Sequence, residues 1–161
     1  MTALPGDPHR LLNLGDPKAL AWLIDHISIF IQSEGVTIYR QDFNCDPAPY
    51  WKAMDGLDRV AFAEMKHIEG LYAYWDSLRA RNPGLFMENC AFGGRRIDLE
   101  IIGRSGLLWL TDYLYFESNG NQCHTYGLQL FLLCSGTGNN ISRKYEFRSS
   151  MNRAVVRARE Y

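Results

Sequence analysis

At 161 residues, 47% of them hydrophobic and 13% aromatic, the chain can fill one ordinary core, and a single domain over 1–161 is the expectation. A net charge of −1 supplies no long-range field toward nucleic acid or an anionic membrane, and the local pair Arg95-Arg96 does not change that. Four cysteines (Cys45, Cys90, Cys123, Cys134) lack a CxxC pair, which argues for reduced thiols and against a disulfide framework or a zinc site.

The opening "MTALPGDPHRLLNLG" has neither a charged n-region nor a long apolar h-region, and no apolar stretch approaches the ~20 residues of a spanning helix. A cytoplasmic chain with no membrane partner is expected. The first strong element starts at Asp16-Pro17, an N-cap followed by proline at the first helical position. Leu20, Leu23, Ile24, Ile27, Phe30 and Ile31 recur at helical spacing until Gly35. A strand over 36–41 follows, and then the loop "NCDPAPYW". A second helix is expected over roughly 57–81, with Ile68, Leu71, Trp75 and Leu78 as its core stripe and Asn82-Pro83-Gly84 as its stop.

"LFMEN" (85–89) reads as a strand, the Gly93-Gly94 pair as a turn, and 97–104 as a short helix. "LLWLT" (107–111) is continuously apolar, as suits a strand buried on both faces of a parallel sheet. A further helix is expected near 122–133, and the arginine-rich tail 143–161 reads either way. Alternating strands and helices with short connections imply βαβ units and a parallel sheet, either doubly wound or part of a (β/α)8 barrel. No GxGxxG or GxxxxGK[ST] follows a strand, which weakens the nucleotide-binding version. Polar groups instead gather after successive strands: Asp42 and Asn44, then Glu88, Asn89 and Cys90, then Asp112. That placement suits a barrel active site.

Asp42 and Asp112 each follow an apolar strand and have aromatic neighbours. Two such carboxylates can divide glycoside hydrolysis, one attacking the anomeric carbon while the other protonates the leaving oxygen. Each alone reads more readily as a strand-end aspartate capping the next helix. Glu88 reads as a further carboxylate or a strand-end cap. His124 reads as a helix-start histidine satisfied by backbone. Cys90 has no neighbouring histidine to activate it. Neither a metal nor a cofactor is expected.

"YRQDFN", "ENCAFGGRRID" and "LLWLTDY", in that order and spacing, resemble the catalytic-domain motifs of glycoside hydrolase family 36, the microbial α-galactosidases and their relatives. The resemblance runs from about residue 10 to about residue 150 and implies a partial TIM (β/α)8 barrel from the nucleophile strand onward. The family's K-x-D-x-N matches Arg40-x-Asp42-x-Asn44, its C-x-x-G matches Cys90-x-x-Gly93, its Arg-x-Asp matches Arg96-Ile97-Asp98, and its W-x-S-D matches Trp109-x-Thr111-Asp112.

By that similarity Asp42 would be the nucleophile and Asp112 the acid/base of a retaining mechanism. Arg40, Asn44, Cys90, Gly93, Arg96 and Trp109 would contact a galactoside or oligosaccharide. His124 would be a substrate contact only by that family resemblance. Arg40 stands where the family has lysine, exchanging a compact ammonium for a planar guanidinium. Phe92 stands where a small residue is usual, and Leu110-Thr111 replace a more polar Arg-Ser. A full barrel takes ~250 residues, so the chain is expected to be a fragment, or a half that pairs as a homo-oligomer or with a complementing half-barrel. A galactosyltransferase and a non-catalytic remnant that binds sugar or a protein are the competing functions.

Overall fold

The computed structural model describes residues 2–108, 127, 131, 136–140 and 154–158. In chain order the elements are β1 (Thr2–Ala3), β2 (Arg10–Leu11), α1 (Pro17–Glu34), β3 (Ile38–Asp42), α2 (Ala48–Met54), α3 (Phe62–Arg81), β4 (Phe86–Cys90), α4 (Leu99–Arg104), β5 (Leu107–Leu108), β6 (Gly136–Asn140) and β7 (Ala154–Ala158). They group into two compact units, one of Met1–Thr37 with Cys45–Leu85 and one of Ile38–Asn44 with Phe86–Tyr161. The helix expected near 122–133 lies outside the described residues except for Gly127 and Phe131.

The first unit is helical. Asp16 caps α1 by accepting from the Lys18 amide at 2.9 Å, Pro17 occupies the first turn, and Gly35 closes the helix. The strand begins at Ile38 rather than 36 because the Val36 amide is still spent on the helix, donating to the Ile31 carbonyl at 3.0 Å. The stretch expected to be a loop contains α2. Its two prolines fall at the helix start, where a missing N–H costs no intrahelical bond, and the Asp46 carboxylate accepts from the Ala48 amide.

The next helix, α3, begins at Phe62 instead of near 57. Asp55 explains the delay: its carboxylate accepts from the Ala61 and Ala63 amides at 2.7 and 2.8 Å, capping a helix whose own N-cap position has no side-chain bond. Leu71, Tyr74, Trp75 and Leu78 of α3 are buried, each contributing about 1.5–3 kcal/mol by leaving water. Ile68, expected in the same stripe, is only half-buried. The short antiparallel β1–β2 pair was not legible in the sequence. It is tied to α2 by Tyr50, whose hydroxyl donates to Asp7 at 2.6 Å.

The second unit holds a three-stranded parallel sheet in the order β3-β4-β5. Its register pairs Ile38 with Phe86, Arg40 with Glu88, and Asp42 with Cys90. Successive side chains of a strand alternate faces, so these six share one face, while Tyr39, Gln41, Met87 and Asn89 share the other. The Gly106 amide donates to the Met87 carbonyl and starts β5 beside β4. A separate parallel pair joins β6 and β7. No helix among the described residues is long and apolar enough to cross a membrane.

Gly70 sits where α3 meets the loop before α1: a Cβ there would lie 2.1 Å from the Leu14 carbonyl oxygen. That contact is with backbone, so the loop itself must move to relieve it. Gly70→Ala is therefore expected to destabilise the fold by about 1–3 kcal/mol. The measurement is the urea midpoint at unchanged m-value; an unaltered midpoint would show that the loop yields freely.

Candidate functional site

The parallel register brings four chemistry-bearing side chains onto one sheet face. Arg40 reaches across from β3 to form an ion pair with Glu88 of β4, and its other terminal nitrogen lies 3.1 Å from Asp42 Oδ2. Asp42 pairs in register with Cys90. The guanidinium thus sits between two carboxylates, with Glu88 the more buried partner at 16% exposure against 32% for Asp42. The sequence leaves Glu88 as a further carboxylate or a strand-end cap. It lies inside β4, and the shared pleat makes it the partner of Arg40.

Partial burial works to raise the Asp42 pKa, but hydrogen bonds from the Cys90 thiol, Arg40 and Asn44, together with the Arg40 charge, outweigh it and hold the carboxyl below its ordinary value. Arg40 loses some solvation too, yet its bonds to Asp42 and the charge of Glu88 leave its pKa raised. Burial pushes the Cys90 thiol up to about 11; the Gly93 amide opposes this, while Asp42 adds to it. At neutral pH Cys90 is therefore a protonated donor to an ionised Asp42, which is the reverse of an activated cysteine.

The loop after β4 folds back onto this cluster. The Phe43 amide donates to the Cys90 carbonyl at 3.1 Å, continuing the β3–β4 pairing past the strand ends. Asn44 accepts the Phe92 amide on Oδ1 at 3.3 Å, and its amide group hydrogen-bonds Asp42. It therefore links the carboxylate to the loop. Gly93 has a φ of 70°, a left-handed conformation that glycine adopts without strain, and this lets the chain reverse beside Cys90.

Arg96 donates to the Cys90 carbonyl at 2.9 Å and lies over the Phe43 ring at 5.2 Å, so it braces the two strand ends. Asp98 accepts from the Ile101 amide at 2.8 Å and caps α4. Trp109 and Asp112 lie outside the described residues. Of the residues expected at the site, the structure thus brings together Arg40, Asp42, Asn44, Cys90, Gly93 and Arg96. What sequence reasoning missed is Glu88 as the second anchor of Arg40. The signal was parity: 86, 88 and 90 alternate as 38, 40 and 42 do.

Among the described residues no group of three His, Cys, Asp or Glu side chains could hold a metal. A groove of about 680 Å³ lies elsewhere, in the first unit, lined by Val60, Phe62, Met65, Ile68 and Tyr72. Arg59, Glu64 and Glu69 also line it, but its surface is mainly apolar, and it lies apart from the Arg40–Asp42 cluster along the chain.

Two outcomes follow from this electrostatic arrangement. Arg40→Met is expected to raise the Asp42 pKa, read from the side-chain carboxyl carbon in an NMR titration. The folded-state value is lowered in the native chain. The ionised site therefore adds stability above the ordinary aspartate pKa, and that contribution is lost as pH falls through the lowered one. An unmoved titration would show that Arg40 does not tune the carboxylate. Separately, iodoacetamide at pH 8 is expected to label Cys45 ahead of Cys90, because Cys90 is buried and carries a raised pKa. Peptide mapping reads the order, and equal rates would contradict it.

No family model matches the chain. It is 28% identical over 102 residues to the probable α-galactosidases C of Aspergillus flavus and Aspergillus oryzae, covering 63% of this chain. It is 27% identical over 104 residues to α-galactosidase 2 of Hypocrea jecorina. The chain spans 12% of the length of the two Aspergillus relatives. Among solved structures, the glycoside hydrolase family 36 α-galactosidase AgaB of Geobacillus stearothermophilus superposes with a TM-score of 0.77 at 18% identity, over 97% of this chain and 24% of that one. The α-galactosidase of Lactobacillus brevis does so with a TM-score of 0.76 at 16% identity, over 97% and 23%. The chain thus resembles α-galactosidases in sequence, and in fold it matches a segment of the glycoside hydrolase family 36 enzymes.

Proposed function

We propose that the chain carries the nucleophile side of a retaining α-galactosidase-like glycoside hydrolase, acting on terminal α-linked galactose of oligosaccharides. The observation that carries this reading is the state of Asp42: a carboxylate at the C-terminal end of a parallel strand, held ionised by three hydrogen-bonding neighbours. Similarity to α-galactosidases supports it, as does likeness in fold to an α-galactosidase crystallised with stachyose. In this reading β3, β4 and β5 are consecutive strands of a (β/α)8 barrel completed by chain beyond this one or by a partner. Asp42 projects from the C-terminal end of β3, the end that carries catalytic groups in such barrels.

The chemistry divides between two carboxylates. Asp42 attacks the anomeric carbon as the glycosidic bond breaks, and Asp112, protonated, gives its proton to the departing oxygen. The covalent galactosyl–Asp42 intermediate is then hydrolysed by a water that Asp112, now ionised, deprotonates. A nucleophile needs a low pKa and an acid a high one. The bonds from Arg40, Cys90 and Asn44 suit Asp42 to the first role. The second role rests on the sequence motif that contains Asp112.

Arg40 has its terminal nitrogens on Glu88 and Asp42. We assign it the task of fixing the nucleophile's orientation, together with any contact to a sugar hydroxyl. Asn44 and Cys90 complete the wall on that side of the sugar. The test is hydrolysis of an aryl α-galactoside by the wild-type chain, Asp42→Ala and Asp112→Ala. Wild-type turnover is expected, with a loss of roughly 10⁴-fold or more in Asp42→Ala, the scale seen when a nucleophile is removed. An inert wild type would leave a chain that binds sugar or a partner without catalysis, and activity that survives in Asp42→Ala would overturn the assignment of Asp42 as nucleophile.

A further inference from the structure

Phe92 is a large apolar side chain in an unfavourable backbone conformation beside this site. Its φ is 43°, in the left-handed region that glycine enters freely and a bulky residue does not. Only one other described non-glycine residue, Ala61, shares that feature. Phe92 is 45% exposed, so hydrophobic burial does not account for phenylalanine at this position. A turn alone would be served better by glycine or asparagine. Strain of this kind persists where surrounding bonds enforce it, and it concentrates where a side chain has to be displayed.

Two restraints enforce it here. The Phe92 amide donates to Asn44 Oδ1, the same side chain that hydrogen-bonds Asp42. The Arg95 guanidinium stacks over the ring, 4.9 Å from its centroid. The backbone of Phe92 is therefore one side chain removed from the proposed nucleophile, and Arg95 covers one face of the ring.

Resting on the galactosidase reading above, we infer that Phe92 is a specificity-determining residue whose ring stacks against the apolar C–H face of the substrate's pyranose. Galactose suits such a platform. Its axial 4-hydroxyl leaves the hydrogens on C3, C4 and C5 together on one face, whereas the equatorial hydroxyl of glucose breaks that patch. Asn44 then has two tasks at once: it holds the carboxylate and it sets the height of the ring.

The test uses methyl α-galactoside as the probe, with Phe92→Gly and Phe92→Tyr. Saturation-transfer NMR on the wild type is expected to mark H3, H4 and H5 of the sugar when aromatic protons are irradiated. Phe92→Gly is expected to bind about three- to tenfold more weakly. Its thermal midpoint should meanwhile rise by about 2–4 °C as the backbone strain is released. Phe92→Tyr keeps the ring and should keep the affinity. Unchanged affinity in a well-folded Phe92→Gly would overturn the stacking role and leave the galactosidase reading standing. A wild type that neither binds the probe nor hydrolyses an aryl α-galactoside would remove both.

Discussion

The site depends on the register between β3 and β4. Pairing Arg40 with Glu88 and Asp42 with Cys90 sets all four on one face of the sheet. A slip of one residue along either strand would move that strand's members to the opposite face, because side-chain direction alternates with a period of two. The ion pair, the thiol–carboxylate bond and the Asn44 link would be lost together. The pairing continues beyond the strands through the Phe43 amide and the Cys90 carbonyl, and Arg96 braces that carbonyl from the other side. These backbone restraints lie next to Asp42.

Charge balance at this face explains why one arginine is enough. Two carboxylates on adjacent strands would repel, and one of them would be driven toward protonation. Arg40 lies between them and favours the charged form of Asp42. A lysine has a single ammonium and would have to share it between Glu88 and Asp42. The guanidinium offers separate terminal nitrogens in a fixed plane, one for each. The arginine at this position thus gains a physical reason from its partner on β4. Because Arg40 and Asp42 remain about a third exposed, their pair acts more through orientation and protonation state than through fold stability.

Much of this was legible in the sequence. Asp16-Pro17 and Gly35 marked α1 to the residue, and Asp42, Asn44 and Cys90 stood out as polar groups where apolar strands end. What was not legible is relational. Glu88 reads as a further carboxylate or a cap until the register pairs it with Arg40, and registers are set between strands, not within them. The contacts of Arg96 with the Cys90 carbonyl and the Phe43 ring are likewise set between separate segments of chain, where no local pattern reports them. The late start of α3 depends on Asp55, six and eight residues upstream of the amides it caps, a distance that local periodicity does not see.

The two faces of the sheet differ in a way that bears on function. On one face Met87 and Asn89 are 2% and 3% exposed. On the other, one residue pair below Arg40 and Glu88, Ile38 and Phe86 are 59% and 43% exposed. A face that is polar toward the strand ends and apolar beneath has the layering of a barrel interior, where branched and aromatic side chains fill the space under the catalytic groups. Leaving Ile38 and Phe86 in water forgoes hydrophobic stabilisation that further strands facing them would supply, at about 25 cal/mol per Å² covered. Such strands would also lower the dielectric around Arg40 and strengthen its hold on Asp42. Covering Ile38 and Phe86 and tightening the Arg40–Asp42 contact would then be one event, driven by the same apolar surface.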